Sequence, residues 1–127
     1  MRWCFDGGSH AYADQILSQL ESGTSTAFVP PLWRYEVSAV LARAELKGFL
    51  TGRKAAEFIE DLSALVIRVD SDSASHVLTD AHRLAVQHRL TSYDAAYLEL
   101  ALRKNLPLAT LDEELLAACK AAGAIVL

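Results

Sequence analysis

A glutamate lies where the hydrophobic pattern of its segment predicts an apolar side chain. In LWRYEVSAVLARAEL, Glu36 comes three residues after Trp33 and four before Val40. At about 3.6 residues per helical turn, these positions share one helix face. A carboxylate on that face is costly to bury unless it is paired or binds a metal. Two interpretations are open: a site residue, or an acid at the edge of the face or in an ion pair with Arg34 or Arg43.

A second acid shows the same conflict. In TSYDAAYLELALRK, Asp94 precedes Tyr97, Leu98 and Ala101 at helical spacing, so it also lies on the apolar face. It falls in the first turn of the predicted helix, where free N–H groups and the helix dipole favour an anion. Asp94 is therefore either a site residue or an acid that stabilises a helix N-terminus.

The third acid comes at the end of a predicted strand, PLATLD. Because strand side chains alternate, Leu108, Thr110 and Asp112 point to one face. Ligands of doubly wound sheets bind at the carboxyl ends of the strands, which favours a site role for Asp112. The alternative is an N-cap for the helix EELLAACKAA that follows.

Taken together, the three acids indicate one kind of chemistry. Carboxylate oxygens are ligands that suit Mg²⁺ or Mn²⁺. Such an ion lowers the pKa of a bound water and stabilises negative charge on phosphate oxygens. The pattern therefore favours metal-dependent hydrolysis of a phosphodiester, with Glu36, Asp94 and Asp112 as candidate ligands.

Other residues with chemical potential fit a structural role better. Cys4 and Cys119 are far apart, without the spacing of a disulfide or zinc site, so we expect them to be buried as small apolar residues. Four aromatic residues could stack on nucleic-acid bases, but core packing is the preferred interpretation. These four are Trp3, Trp33, Tyr35 and Tyr97.

Length and composition bound the class of protein. The chain has 127 residues, of which 52% are hydrophobic and 22% charged, with a net charge of −4. This predicts a single domain over residues 1–127 that builds an ordinary core. No segment predicts a membrane span or signal peptide, so a cytoplasmic protein is expected. A broad basic surface for nucleic acid is not indicated, although a bound metal ion would supply positive charge locally.

Short apolar strands alternate with helices along the chain. This order predicts an α/β fold with three layers, in which helices cover both faces of a short, doubly wound parallel sheet. Thr51, Ser73, Thr91 or Ser92, and Asp112 are the predicted N-caps. The predicted helices cover 10–21, 32–47, 52–65, 74–89, 93–105 and 113–122, and the predicted strands cover 27–29, 66–69, 106–111 and 124–127.

Three segments carry a family resemblance. VPPLWRYEVSAVLARAELKGFLT, LTSYDAAYLELALRKNLPLATLDEELLAAC and the closing GAIVL resemble PIN domains, and more specifically VapC-type toxins of bacterial toxin–antitoxin pairs. The resemblance implies a Mg²⁺- or Mn²⁺-dependent ribonuclease that cuts RNA and is inhibited by a VapB-like antitoxin. By motif, Glu36, Asp94 and Asp112 match the acids of the family, with Thr110 as the nearby hydroxyl.

The beginning of the sequence departs from the family pattern. Such toxins begin with a strand carrying the first acid, in a pattern like V-x-D-A-S, before the tryptophan segment. Here the chain starts at Met1 with Trp3 close behind, and Asp6 matches a different acid. The resemblance thus predicts an N-terminally truncated domain that lacks its first central strand and one metal ligand.

Two consequences of that departure are predicted. The first is a gap between the strands of Phe28 and Leu108, filled by self-association into a homodimer. The second is impaired activity. In the alternative interpretation, the chain is an inactive PIN-like remnant that acts through protein–protein binding alone.

Overall fold

The computed structural model describes residues 26–127, and the structural statements that follow refer to these residues. Several predictions lie outside them. These are the helix over 10–21, the core positions of Trp3 and Cys4, the role of Asp6 and the missing first strand. The gap and the homodimer depend on that strand and stay predictions.

Two short parallel strands form the sheet of the described part. Strand β1 (Ala27–Val29) pairs with β2 (Ile67–Val69), with Phe28 opposite Arg68. The pairing continues past both ends, because Ala27 N–H donates to the Val66 carbonyl at 3.0 Å and Asp70 N–H to the Val29 carbonyl at 2.8 Å. Parallel strands need a crossover, and two helices between β1 and β2 supply it.

Five α-helices and two irregular turns complete the described part. The helices are α1 (Leu32–Leu46), α2 (Gly52–Ser63), α3 (His82–His88), α4 (Ser92–Lys104) and α5 (Glu113–Ala122). Three predicted N-caps are confirmed, since side-chain oxygens of Thr51, Thr91 and Asp112 accept backbone N–H bonds from the first turns of α2, α4 and α5. At the end of α5, Gly123 adopts φ of 80°, a left-handed conformation that glycine permits without strain.

The prediction of one continuous helix over 74–89 with Ser73 as its cap is wrong. A 3₁₀ turn (Ser73–His76) and a π-helical turn (Val77–Ala81) precede the short helix α3. The hydroxyl of Ser73 donates to Asp70 Oδ2 at 2.6 Å and does not cap a helix. The Ser73 hydroxyl therefore hydrogen-bonds to the buried Asp70 carboxylate, and not to the backbone N–H groups at the start of a helix as predicted.

The two C-terminal strands are shorter than predicted. Leu108 and Val126 form an isolated parallel bridge, in which Leu108 N–H donates to the Ile125 carbonyl at 2.8 Å and Leu127 N–H to the Leu108 carbonyl at 3.2 Å. Pro107 has no N–H to extend the pairing. Within residues 26–127 this bridge and the β1–β2 pair are separate. The combination of many helices with short parallel strands confirms the α/β class.

Helix α4 lies between two hydrophobic clusters. The larger cluster joins α3, α4 and α5 and includes Leu98 and Cys119, both fully buried. The second cluster, here called the α1 cluster, joins β1 and α1. Its buried members are Val29, Trp33, Val37 and Leu41. The predicted burial of Cys119 and Trp33 is thus confirmed.

The predicted core position of Tyr35 is wrong. Its side chain is 78% exposed, whereas Trp33 is 7% exposed. Residues two apart in a helix point to nearly opposite sides, so both cannot face the same core. In the described range, no helix is long and apolar enough to cross a membrane.

Candidate active site

The carboxylate of Glu36 meets a tyrosine hydroxyl from a distant part of the sequence. Glu36 lies in the second turn of α1 and is half-buried, between the buried Trp33 and the exposed Val40 that share its face. The Tyr97 O–H on α4 donates a hydrogen bond to Glu36 Oε1. The ion pair with Arg34 or Arg43 that the sequence left open is not among the ion pairs found within residues 26–127.

The ring of Tyr97 is held by apolar packing while its hydroxyl reaches the acid. It packs against the α1 cluster, which confirms the predicted core role of this residue. Burial raises the pKa of the Tyr97 hydroxyl, and the hydrogen bond to Glu36 and the negative charges of Glu36 and Asp94 raise it further. Tyr97 is therefore a protonated, neutral donor.

Asp94 lies on the same side of α4 as Tyr97, one turn earlier. Its backbone N–H donates to Thr91 Oγ1 at 3.1 Å, and the residue is half-buried. Its charge acts on the Tyr97 hydroxyl, which also contacts Glu36. Of the predicted site acids, Glu36 is thus hydrogen-bonded to the phenol, and Asp94 lies one turn before that phenol on the same helix.

Asp112 performs the capping role that the sequence left as an alternative. Its Oδ1 accepts the backbone N–H of Leu115 at 3.0 Å, and its own N–H donates to Thr110 Oγ1 at 3.1 Å. Both Asp112 and Thr110 are half-buried. A further role for Asp112 and Thr110 at the site stays a prediction.

The donor set can be compared with what a divalent ion needs. In the range 26–127, no three His, Cys, Asp or Glu side chains lie close enough together to bind one metal ion. Mg²⁺, however, is usually held by one or two carboxylates, with water and substrate phosphates as the remaining ligands. The pair Glu36 and Asp94 supplies hard oxygen donors of that kind, so these residues fit such an ion.

A buried polar network that the sequence analysis did not predict lies at the other end of α4. Asp70, which follows β2, and Glu99 on α4 are 5% and 4% exposed. Arg103 binds both, with Nη2 at 2.5 Å from Asp70 Oδ2 and Nε at 2.6 Å from Glu99 Oε1. Lys104 Nζ lies 3.6 Å from Asp70 Oδ1, and His76 Nδ1 lies 3.7 Å from Glu99 Oε1.

The network holds Asp70 in its charged form. Burial by itself raises the pKa of Asp70, but hydrogen bonds from Arg103 and Ser73 and the charges of Arg103 and Lys104 outweigh it and lower the pKa to about 2. The network thereby ties the end of β2 to α4, the helix that carries Asp94 and Tyr97. Glu99 and Arg103 are four residues apart on one helix, a spacing that could have indicated their ion pair from the sequence. It could not have indicated the contact of Arg103 with Asp70.

Comparison with known proteins gives a relative and a family. The chain is 37% identical over 81 residues to "Ribonuclease VapC3" of Pyrobaculum aerophilum. That match covers 64% of this chain and 62% of the relative, slightly less than two thirds of the relative's length. The PIN domain family matches residues 3–121, which is nearly the whole sequence. Since this match extends over far more than half of the sequence, the chain belongs to the PIN domain family.

Proposed function

We propose that this protein is a metal-dependent endoribonuclease that hydrolyses RNA phosphodiester bonds, a toxin of the VapC type. The observation that carries the proposal is the hydrogen bond from Tyr97 to Glu36, one helical turn after Asp94 on α4, in a PIN domain. The similarity to a protein named as a ribonuclease supports the RNA substrate. PIN-domain nucleases generally use divalent metal ions, and for this chain we propose Mg²⁺ or Mn²⁺.

The proposed roles follow from the positions of the residues. Glu36 and Asp94 hold the ion, and Asp112, with the hydroxyl of Thr110 beside it, is a further acid of the proposed site that does not form a three-ligand cluster with them among the described residues. When bound, the ion supplies a water of lowered pKa and positive charge for the phosphate oxygens. The N-terminus of α4 adds a favourable field for the negative charge of Asp94.

Metal removal tests this function directly. The full chain is incubated with labelled single-stranded RNA and Mn²⁺ or Mg²⁺, then with excess EDTA, and then with the ion restored. We expect cleavage that stops with EDTA and returns with the ion, because the site acids bind substrate phosphate only through a cation. Cleavage that persists in EDTA would contradict the metal dependence, and no cleavage with either ion would contradict the nuclease function.

The same preparation distinguishes the alternative, a chain that acts through protein–protein binding alone. A Glu36→Gln variant purified in parallel controls for a contaminating nuclease, whose activity would persist in it. Calorimetric titration with Mn²⁺ supplies a second readout. A wild-type chain that binds neither Mn²⁺ nor RNA, but does bind an antitoxin, would support the alternative.

The proposed protein partner is a VapB-like antitoxin. A groove of about 670 Å³ runs between α1 and α2, with Leu41, Ile59 and Leu62 among its apolar lining residues. Trp33 also lines the groove. An amphipathic antitoxin segment would cover the apolar lining of the groove.

Substituting one groove residue tests this partner. Ile59 lines the groove and is 52% exposed. Ile59→Asp therefore places a charge in the proposed antitoxin contact without leaving a cavity in the hydrophobic core. We expect antitoxin affinity, measured by calorimetry, to fall by about tenfold or more, the loss that corresponds to burying one aliphatic side chain. The matched control is Leu78→Asp at a position 88% exposed on the π-helical turn. Equal affinity of both variants would contradict the groove assignment.

A further inference from the structure

The hydroxyl of Tyr97 has a position that apolar packing alone does not require. The ring is part of the α1 cluster, and a phenylalanine would fill the same space. The oxygen is instead directed at Glu36, a residue 61 positions away in the sequence, and it lies within the field of Asp94. Tyr97 therefore makes two separable contributions, the packing of its ring and the hydrogen bond that its O–H donates to Glu36.

We infer that Tyr97 is a positioning residue, whose O–H holds the carboxylate of Glu36 in the orientation in which it binds the metal ion. This inference rests on the proposed function and adds to it a residue that does not itself contact the ion or the RNA. Its carrying observation is the hydrogen bond between Tyr97 and Glu36 across α4 and α1.

A hydrogen-bond donor held in place by packing reduces the entropy that Glu36 loses when it binds a metal ion. A glutamate has several rotatable bonds, and fixing them costs conformational entropy when a ligand binds. Because the ring of Tyr97 is held by the α1 cluster, its O–H fixes one oxygen of Glu36 before any ion arrives. Groups that orient metal ligands in this way typically change metal affinity or activity by about 10- to 100-fold.

The neutrality of the donor matters as much as its position. Lysine or arginine at this place would neutralise Glu36 and reduce the attraction of the acid pair for a cation. A phenol satisfies one carboxylate oxygen and leaves the negative charge of Glu36 and Asp94 in place. Tyrosine thus orders the pair without competing with the ion for its charge.

Tyr97→Phe in the full chain separates the two contributions, because it removes the oxygen and keeps the ring. We expect the Mn²⁺ dissociation constant from calorimetry to rise by about tenfold or more, and kcat for RNA cleavage to fall while KM for RNA changes little. Saturating Mn²⁺ should recover part of kcat. Tyr93→Phe is the matched control, since Tyr93 is on the same helix and 65% exposed.

A second variant keeps the inference testable should Tyr97→Phe perturb folding. In a Glu36→Gln background, Tyr97→Phe should cause little further loss of Mn²⁺ affinity, because the carboxylate that it positions has already been removed. Independent, additive losses would overturn the positioning role.

The failure of this inference is distinguishable from the failure of the proposed function. A wild-type chain that binds Mn²⁺ and cleaves RNA, together with a Tyr97→Phe variant of equal affinity and kcat, would overturn the role of Tyr97 alone. A wild-type chain that binds no Mn²⁺ would overturn the proposed function and the role of Tyr97 with it.

Discussion

Asp94→Asn is expected to lower the rate of RNA cleavage by at least about 100-fold, because removing a metal ligand should cost more than removing a group that only orients one. Asparagine has nearly the shape of aspartate but lacks its charge. The substitution removes one of the two carboxylates whose charges act at the Tyr97 hydroxyl. The measurement is kcat/KM on labelled RNA at saturating Mn²⁺, with the Mn²⁺ dissociation constant as a second readout.

The stability of the Asp94→Asn variant should change little. The carboxylate lies in the first turn of α4, where its interaction with the helix dipole contributes about 0.3–1 kcal/mol. Glu114→Gln is the matched control, because Glu114 is an exposed acid in the first turn of α5. It should lose a similar small stability and no activity. Activity retained in Asp94→Asn, or lost equally in both variants, would contradict the assignment of Asp94 to the site.

The sequence alone singles out Glu36 and Asp94 as candidate site residues, because each acid conflicts with the helical pattern around it. A carboxylate on an apolar face has to be satisfied by something, and helical spacing alone reveals the conflict. What satisfies Glu36 was not predictable, since its partner Tyr97 comes from a helix 61 positions away. The spacing within one helix contains no information about which other helix packs against it.

The same limit explains the errors in the fold. Ser73 has the local features of an N-cap, but its hydroxyl donates to Asp70, a buried carboxylate three residues earlier that also binds Arg103 of a distant helix. Asp70 is buried at the end of β2, where Arg103 of α4 binds it. The N-caps Thr51, Thr91 and Asp112 were predicted because they depend on the residues immediately after them. Local interactions were thus predictable, and those that join separate elements were not.

Arg103→Ala is expected to lower the free energy of unfolding by about 3–5 kcal/mol, the cost of removing one partner from a buried ion pair. Asp70 and Glu99, 5% and 4% exposed, would both lose their guanidinium hydrogen bonds. The remaining contacts of Lys104 and His76, at 3.6 and 3.7 Å, compensate only in part. Urea unfolding at neutral pH measures the change.

An exposed arginine on α3 provides the control for Arg103. Arg83 Nη2 lies 3.4 Å from Asp80 Oδ1, and both side chains are largely in solvent. Arg83→Ala should therefore cost no more than about 1 kcal/mol, as is typical of surface ion pairs. Equal destabilisation by the two substitutions would show that the network of Arg103 contributes no more than a surface pair.

The loss of unfolding free energy caused by Arg103→Ala should depend on pH, and this dependence identifies how much of the loss is electrostatic. The pKa of Asp70 is about 2 in the folded protein, below its ordinary value of 3.8, so its charge stabilises the fold fully above about pH 4. That contribution, about 2 kcal/mol, is lost as the pH falls through 2, where the folded protein also protonates Asp70. The difference in unfolding free energy between wild type and Arg103→Ala should therefore narrow from pH 4 to pH 2. A difference that is constant over this range would instead assign the effect to lost packing of the arginine side chain.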